Sequence, residues 1–277
     1  MSKPEEIIPK IRKNTIVSML KKGQRGDGRS PESIRSIKIE TNVIEKAEGS
    51  AIVSLGSTMA IAGVKVNTGV PYSDSPDKGV QIVNAELIPL ASPVFEPGPP
   101  GEDDVEISRV VDRAIRSSEA IDLSRLVLIP GRKVWCVYID IYALNHDGNL
   151  FDAAMLAAMA ALLTAKIPKV EVVNDSLVFT DEKVSLPMKD MPVTVTFAKI
   201  GDEIVVDPSY EEELVMDARI TFGINKHGHV CAIQKGFRGG FTPDEILTTL
   251  KKAVEIAGDM RKILAEATGI TPNSEKV

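Results

Sequence analysis

The chain has 277 residues, a formal net charge of −6, and 43% hydrophobic and 26% charged residues. That balance belongs to a globular protein with room for one large core or two small ones, and it excludes a disordered or collagen-like chain. A pI of about 5.3 argues against a free-standing nucleic-acid binder, because neutralising phosphates supplies most of such affinity; nucleic-acid contact would need a local patch or a surface shared with a more basic partner.

In chain order, residues 2–22 read as an amphipathic helix with an apolar stripe of Ile7, Ile8, Ile11 and Leu20, opened by a Ser2–Glu5 capping box and stopped at Gly23. It has no core of its own length to join and is expected to pack across the body or onto a neighbour. After the turn-rich Arg25-Gly-Asp-Gly-Arg29, strands are predicted at 37–44, 50–55, 59–66 and 80–89, with loops at 71–79 and at the Pro/Gly-rich 95–101. Ile107, Val110, Val111, Ala114 and Ile115 recur at helical spacing and predict a helix over 103–120. Strands follow at 126–129 and 134–144, joined by Pro130-Gly131, with Trp135 and Tyr138 in core or interface positions.

Residues 151–165 are alanine-rich and apolar on nearly every side, which predicts a central buried helix able to approach a sheet closely. Residues 167–190 read as a polar, irregular connection. Beyond it, strands are predicted at 193–200, 204–206, 214–224 and 230–234, with turns at Gly201-Asp202 and Asn225–Gly228. A last helix starts at the capping box Thr242–Glu245 with Pro243 in its first turn. The divisions are therefore an N-terminal helix (1–24), a first half (25–168), a connection (169–190), a second half (191–268) and a tail (269–277). Strands in hairpin-like groups predict an α+β fold of mixed or antiparallel sheet. Cys136 and Cys231 lie far apart in strand-like runs and match no zinc spacing, so buried thiols in a reducing compartment are expected. The run 153–163 is too short to span a bilayer, and the first residues lack a signal-peptide core. A cytoplasmic location without membrane contact follows, with no metal and no cofactor.

Three constellations could carry chemistry. Arg109, Arg113 and Arg116, spaced by four and three, share one side of the 103–120 helix opposite its apolar stripe. Guanidinium groups suit bidentate phosphate contact; the plainer reading is a solvated face with local pairs, Glu106 with Arg109 and Asp112 with Arg116. The turn Asp147-Gly-Asn-Leu-Phe-Asp152 enters a helix N-terminus, a natural anion site. Leu150 and Phe151 offer a phosphate no donor, and Asp152 reads as a helix-end charge. The acidic run Asp207, Glu211, Glu212, Glu213 and Asp217 could bind Mg²⁺ or supply a general acid, against a solvated loop as the plainer reading. His146 looks like turn chemistry, and His227 and His229 fall at an exposed hairpin tip.

Several of these stretches carry a family resemblance. Arg25–Arg29, Gly49–Thr58 and Ala62–Lys65 resemble the opening of RNase PH-like proteins. Phe95–Pro100, Arg109-Val-Val-Asp-Arg113, Asp122–Leu126 and Asp207–Asp217 are similar to the non-catalytic RNase PH-like subunit of the archaeal exosome, collinearly from about residue 7 to 265. The resemblance implies an RNase PH-like fold with two similar halves and packed helices. It also implies a hexameric ring in which three such subunits alternate with three catalytic RNase PH-like subunits, under S1-domain cap proteins, with single-stranded RNA degraded from its 3′ end by phosphate.

Active members of the family carry a Gly-Gly-Ser/Thr-Arg turn that binds the attacking phosphate; here Gly148-Asn149-Leu150-Phe151 stands in its place. Where they have a catalytic Asp after the Tyr-Glu-Glu run, this chain has Glu213, and the stretch to Asp217 is two residues shorter. Asn149, Leu150 and Phe151 are thus expected to form a degenerate phosphate site, and Glu213 and Asp217 a degenerate acidic site. The resemblance further implies that Arg109 and Arg113 contact RNA phosphates near the neighbouring catalytic site, with Arg116 alongside. Two rival readings are an enzyme active on its own and an assembly protein whose arginines are merely salt-bridged.

Overall fold

A computed structural model describes residues 4–173 and 176–270, with side chains from Arg12 onward. Helix α1 (Pro4–Leu20) ends before Gly23, which takes the left-handed conformation at φ 70°. Its final turns bury Leu20 and pack Ile16 and Val17 against Ala198, Ile200, Val205, Val215 and Met216. The helix therefore lies across the chain's own second half. The side chains of Ile7, Ile8 and Ile11, and the capping residue Ser2, lie outside the described residues.

The first half builds a mixed sheet. Strands β1 (Ile37–Thr41), β2 (Gly49–Leu55), β3 (Thr58–Gly69), β4 (Val80–Leu87), β5 (Val127–Ile129) and β6 (Lys133–Asn145) assemble in the order β1-β2-β3-β6-β4, with β5 also on β6. Every pairing is antiparallel except β4 with β6, which is parallel because helix α2 (Glu102–Ser117) crosses over between them. Helix α3 (Leu150–Thr164) follows, then strands β7 (Lys166–Val173) and β8 (Ser176–Ser185).

The second half contributes β9 (Val193–Ile200), β10 (Glu203–Val206), the single helical turn α4 (Tyr210–Glu213), β11 (Ala218–Ile224), β12 (Val230–Gly236) and helix α5 (Pro243–Thr268). Its sheet runs β10-β9-β11-β12 and is antiparallel throughout. Thr242 accepts the N–H of Glu245 while the Glu245 carboxylate accepts the N–H of Thr242, the reciprocal cap expected at the start of α5.

Three helices separate the two sheets. Helix α2 packs on β4 and β12, α3 on β2, β3 and β9, and α5 on β1, β9 and β11. All of α3 from Leu150 to Leu163 is buried, so one apolar core runs through both halves. Close approach needs small residues: a Cβ at Gly49 on β2 would fall 2.7 Å from the Ala165 Cα.

Two expectations need correction. Residues 167–190 are not irregular, because β7 and β8 form an antiparallel hairpin. The hairpin is exposed along most of both strands, so it lacks the apolar alternation that marks a half-buried strand. The strand predicted from Leu214 starts only at Ala218; the residues before it turn out of α4 and expose Leu214 while burying Val215 and Met216.

Candidate functional site

The arginine row on α2 is not uniform. Glu106 does not pair with Arg109; its carboxylate accepts Arg219 of β11 at 2.6 Å and Gln234 of β12 at 3.0 Å. Arg116 is held by Asp112 at 2.7 Å and donates to the Gln81 carbonyl at 3.1 Å. Arg109 and Arg113 are exposed, and among the described residues neither has an ion pair or hydrogen bond. The helix thus presents two unpaired guanidinium groups one turn apart and a third already engaged.

The turn into α3 has the opposite character. Gly148 (φ 86°) and Asn149 (φ 52°) are both left-handed. A side chain at Gly148 would strike the Pro208–Tyr210 backbone, with the Ser209 carbonyl carbon 2.5 Å from its Cβ. Asn tolerates this conformation better than most residues. Its amide donates to Asp152 at 2.8 Å and to Asp207 at 2.7 Å. Asp207 also accepts Arg35 through Nε, Nη2 and the backbone N–H at 2.7–2.9 Å, and Arg29 at 2.9 Å. Arg35 continues to the carbonyls of Asp147 and Gly148, and the Thr58 hydroxyl donates to Gly148 O at 2.6 Å. Burial alone would raise the Asp207 carboxyl, but the hydrogen bonds and charge of Arg35, with the Asn149 amide, hold it below the ordinary carboxylate range.

The acidic run is therefore not a solvated loop. Glu212 is buried in a two-point ion pair with Arg25, at 2.9 and 2.5 Å. Glu211 pairs with Arg12 at 2.7 Å, and Asp217 with Lys13 at 2.5 Å, so two of the five carboxylates anchor α1. Asp152 is not a surface helix charge either. It crosses from α3 to β9, accepting Thr196 N–H at 3.0 Å and Thr196 Oγ1–H at 2.9 Å. Burial pushes it up to about 6 against those bonds. Among the described residues no His, Cys, Asp and Glu group could hold a metal ion.

Glu213 and Asp217, expected to share a site, have no partner in common. Asp217 faces Lys13 and the Gly201 N–H. Glu213 turns inward and accepts the Asn149 N–H at 2.8 Å, at the mouth of α3. A carboxylate of the chain itself thus occupies the anion position at this helix N-terminus. Burial pushes its pKa up to about 7, in spite of the Asn149 bond and the charges of Arg219 and Arg35. Leu150 and Phe151 are buried beside it, and the Arg219 guanidinium lies 4.0 Å from the Phe151 ring centre. Together they border a cavity of about 570 Å³ that also takes in His146, Tyr210, Leu214 and Phe237.

Residues 33–168 match domain 1 of the 3′ exoribonuclease family and residues 190–256 match its domain 2. The chain belongs to the RNase PH-like 3′ exoribonuclease family. It is 52% identical to the exosome complex component Rrp42 of Thermococcus gammatolerans, over 95% of this chain and 97% of the relative. It is 50% identical to the same component of Methanothermobacter thermautotrophicus, over 90% and 93%. Among solved structures it resembles a chain of the Archaeoglobus fulgidus exosome with RNA bound to the active site (46% identity, TM-score 0.86, 92% of this chain and 98% of that one). A chain of an archaeal exosome core is also similar (42% identity, TM-score 0.83, 96% and 99%). Those relatives are exosome components, and the chain shares the α+β arrangement of mixed and antiparallel sheets that goes with its family domains.

Of the residues at this site, sequence reading passes over Arg219 and takes His146 for turn chemistry. Arg219 is a lone arginine in a strand buried at every position, and a charged residue amid strict β periodicity is the signal that would have found it. His146 is not turn chemistry: its ring stacks 5.3 Å from Phe95, and Nε2 lies 3.8 Å from Glu213. No local pattern marks it, since its partners come from residues 95, 210 and 213.

Proposed function

We propose that this chain is the non-catalytic RNase PH-like subunit of an archaeal-type exosome ring. In this reading three copies alternate with three catalytic RNase PH-like subunits beneath S1-domain caps. The chain scaffolds the catalytic subunit, shapes its active site, and holds single-stranded RNA through Arg109 and Arg113 during 3′-to-5′ phosphorolysis, in the cytoplasm. Its two family domains meet at the 169–190 connection.

One observation carries the non-catalytic part: the Glu213 carboxylate sits on the N–H at the start of α3, walled by Leu150 and Phe151. Phosphorolysis needs inorganic phosphate held in line with the scissile bond. A serine or threonine hydroxyl and a guanidinium would supply charge-assisted bonds of roughly 1.5–3 kcal/mol each. Here both are apolar, and the remaining donor is already taken by the Glu213 carboxyl, whose ionised form would repel a second anion.

The RNA-holding part is supported by the contrast along α2. Arg109 and Arg113 are exposed and have no acceptor among the described residues, while Arg116 is occupied by Asp112. The acidic net charge fits a subunit that shares its binding surface rather than owning it. Phosphate-dependent release of nucleoside diphosphates tests the proposal: the full chain alone should release none, while the ring rebuilt with the catalytic subunit should degrade RNA. Processive release by the lone chain would overturn the reading. Unchanged RNA affinity of the ring carrying Arg109→Ala and Arg113→Ala would favour a purely structural subunit.

A further inference from the structure

On a helix surface a guanidinium pairs with a carboxylate three or four positions away. Two acids of α2 stand at that spacing from Arg109: Glu106, three residues before it, and Asp112, three residues after it. Arg113 has none. Among the described residues, Arg109 is nonetheless without an ion pair, because both acids are engaged elsewhere. Glu106 Oε1 accepts Arg219 Nη2–H of β11 at 2.6 Å and Gln234 Nε2–H of β12 at 3.0 Å. Asp112 Oδ1 accepts Gln81 Nε2–H of β4 at 2.9 Å and Arg116 Nη2–H at 2.7 Å. Each acid is thus held by one guanidinium and one strand-borne amide, and the strands that carry the amides, β4 and β12, both pack on α2.

These holds win over Arg109 for a physical reason. The Arg219 side chain is 8% exposed, and its guanidinium lies 4.0 Å from the Phe151 ring centre. Gln81 is buried, and its own carbonyl accepts Arg116 at 3.1 Å. Donors fixed by packing lose less freedom on pairing than a long exposed side chain, and their attraction is less screened by solvent. Without Arg219, Glu106 would be driven outward. Asp103 stands one turn behind it, and the two carboxylates already feel each other: burial first, and then the Glu106 charge, raise the Asp103 pKa. The group next within helical reach of Glu106 is Arg109.

We infer that Arg219 with Gln234, and Gln81 with Arg116, are positioning residues that draw Glu106 and Asp112 away from Arg109, leaving its guanidinium open to an RNA phosphate. The inference rests on the RNA-holding reading above and deepens it. Two of these four residues lie on strands of the second sheet and one on the first, so the readiness of the α2 face for RNA depends on how both sheets pack against the helix.

Binding of a fluorescent single-stranded oligoadenylate to the ring rebuilt with the catalytic subunit tests it, in phosphate-free buffer so that the RNA stays intact. Arg219→Met keeps an apolar contact with Phe151 and removes the main hold on Glu106. It should weaken binding roughly threefold or more and flatten the salt dependence by up to about 0.7, one phosphate contact. In rings that also carry Arg109→Ala, the same substitution should change affinity by less than about 1.5-fold, because the residue through which it acts is gone. Since Arg219 is buried, Gln234→Glu on the half-buried edge strand is a second variant: it gives Arg219 a rival carboxylate, and its effect should likewise require Arg109. An equal loss with and without Arg109, or no loss in an assembled ring, overturns the inference while the RNA-holding reading stands. If Arg109→Ala alone leaves binding unchanged, that reading fails and the inference falls with it.

Discussion

The outer face of α2 and the turn at the start of α3 are both dense in charge, yet they are built in opposite ways. Around α3, Asp207, Arg29, Arg35, Asn149 and Asp152 are joined in a largely buried hydrogen-bond network, and Glu213 closes the helix mouth. On α2, Arg109 and Arg113 have no acceptor among the described residues. A charge answered internally serves the fold, whereas one left unanswered at the surface is available to a partner. Residue type does not separate the two cases; the position of the nearest opposite charge does. In the proposed function, this is why a chain of the RNase PH family could lose its phosphate site and keep its RNA contacts.

The comparison breaks first if the α3 network is not structural. Replacing Asp207 with Asn keeps a residue that tolerates its left-handed backbone (φ 49°) but strips Arg35 of its close anion, while Arg29 retains Asp27. The expected loss is about 3–5 kcal/mol, read from chemical denaturation. A change below about 1 kcal/mol would mean that the network contributes little to the fold.

On the α2 side, Arg109→Ala with Arg113→Ala should leave stability within about 0.5 kcal/mol, as both side chains are exposed and unpaired. RNA affinity of the assembled ring should fall by about 2–4 kcal/mol. The salt dependence on a single strand should flatten by about 1.4, near 0.7 for each lost phosphate contact.

A third test uses pH. Glu213 and Asp152 have folded pKa values raised to about 7 and about 6. The native state therefore holds more protons than the unfolded chain between about pH 4 and 7. Their contribution is complete below that window and is lost as pH rises through it, so the part of the stability they supply should fall from pH 4.5 to 7, partly offset by His146, whose pKa burial lowers. Glu213→Gln should remove up to one proton's worth of that slope, about 1.4 kcal/mol per pH unit. An unaltered profile would mean that Glu213 is not the buried acid described here.

The smallest effect belongs to Arg116→Ala. It removes an exposed i,i+4 pair with Asp112 and should cost about 0.3–0.5 kcal/mol of stability. If RNA affinity also falls by the same factor as for Arg109, the division of the row into engaged and available members fails.

Much of the fold was legible because its cues are local. The 3.6-residue period of Ile107, Val110, Val111, Ala114 and Ile115 marks α2, and the unbroken apolar surface of 151–165 marks the central helix. The β7–β8 hairpin escaped because exposed strands carry no alternating burial. The acidic run misled for a different reason: five carboxylates within eleven positions look solvated until Arg12, Lys13, Arg25, Arg29 and Arg35 are folded back onto four of them.

Sequence by itself determined the α+β class, the helix ends set by Gly23 and the Thr242 cap, and the apolar pair Leu150-Phe151 where a phosphate site needs donors. These follow from periodicity, backbone conformational preference and side-chain chemistry, which act over a few residues. Only tertiary structure decided that Glu106 leaves Arg109 for Arg219, that Glu213 seals the start of α3, and that Glu213 and Asp217 part company. Ion pairing follows distance in space, and the partners here are separated by tens to hundreds of positions that only the packed sheets and helices bring together.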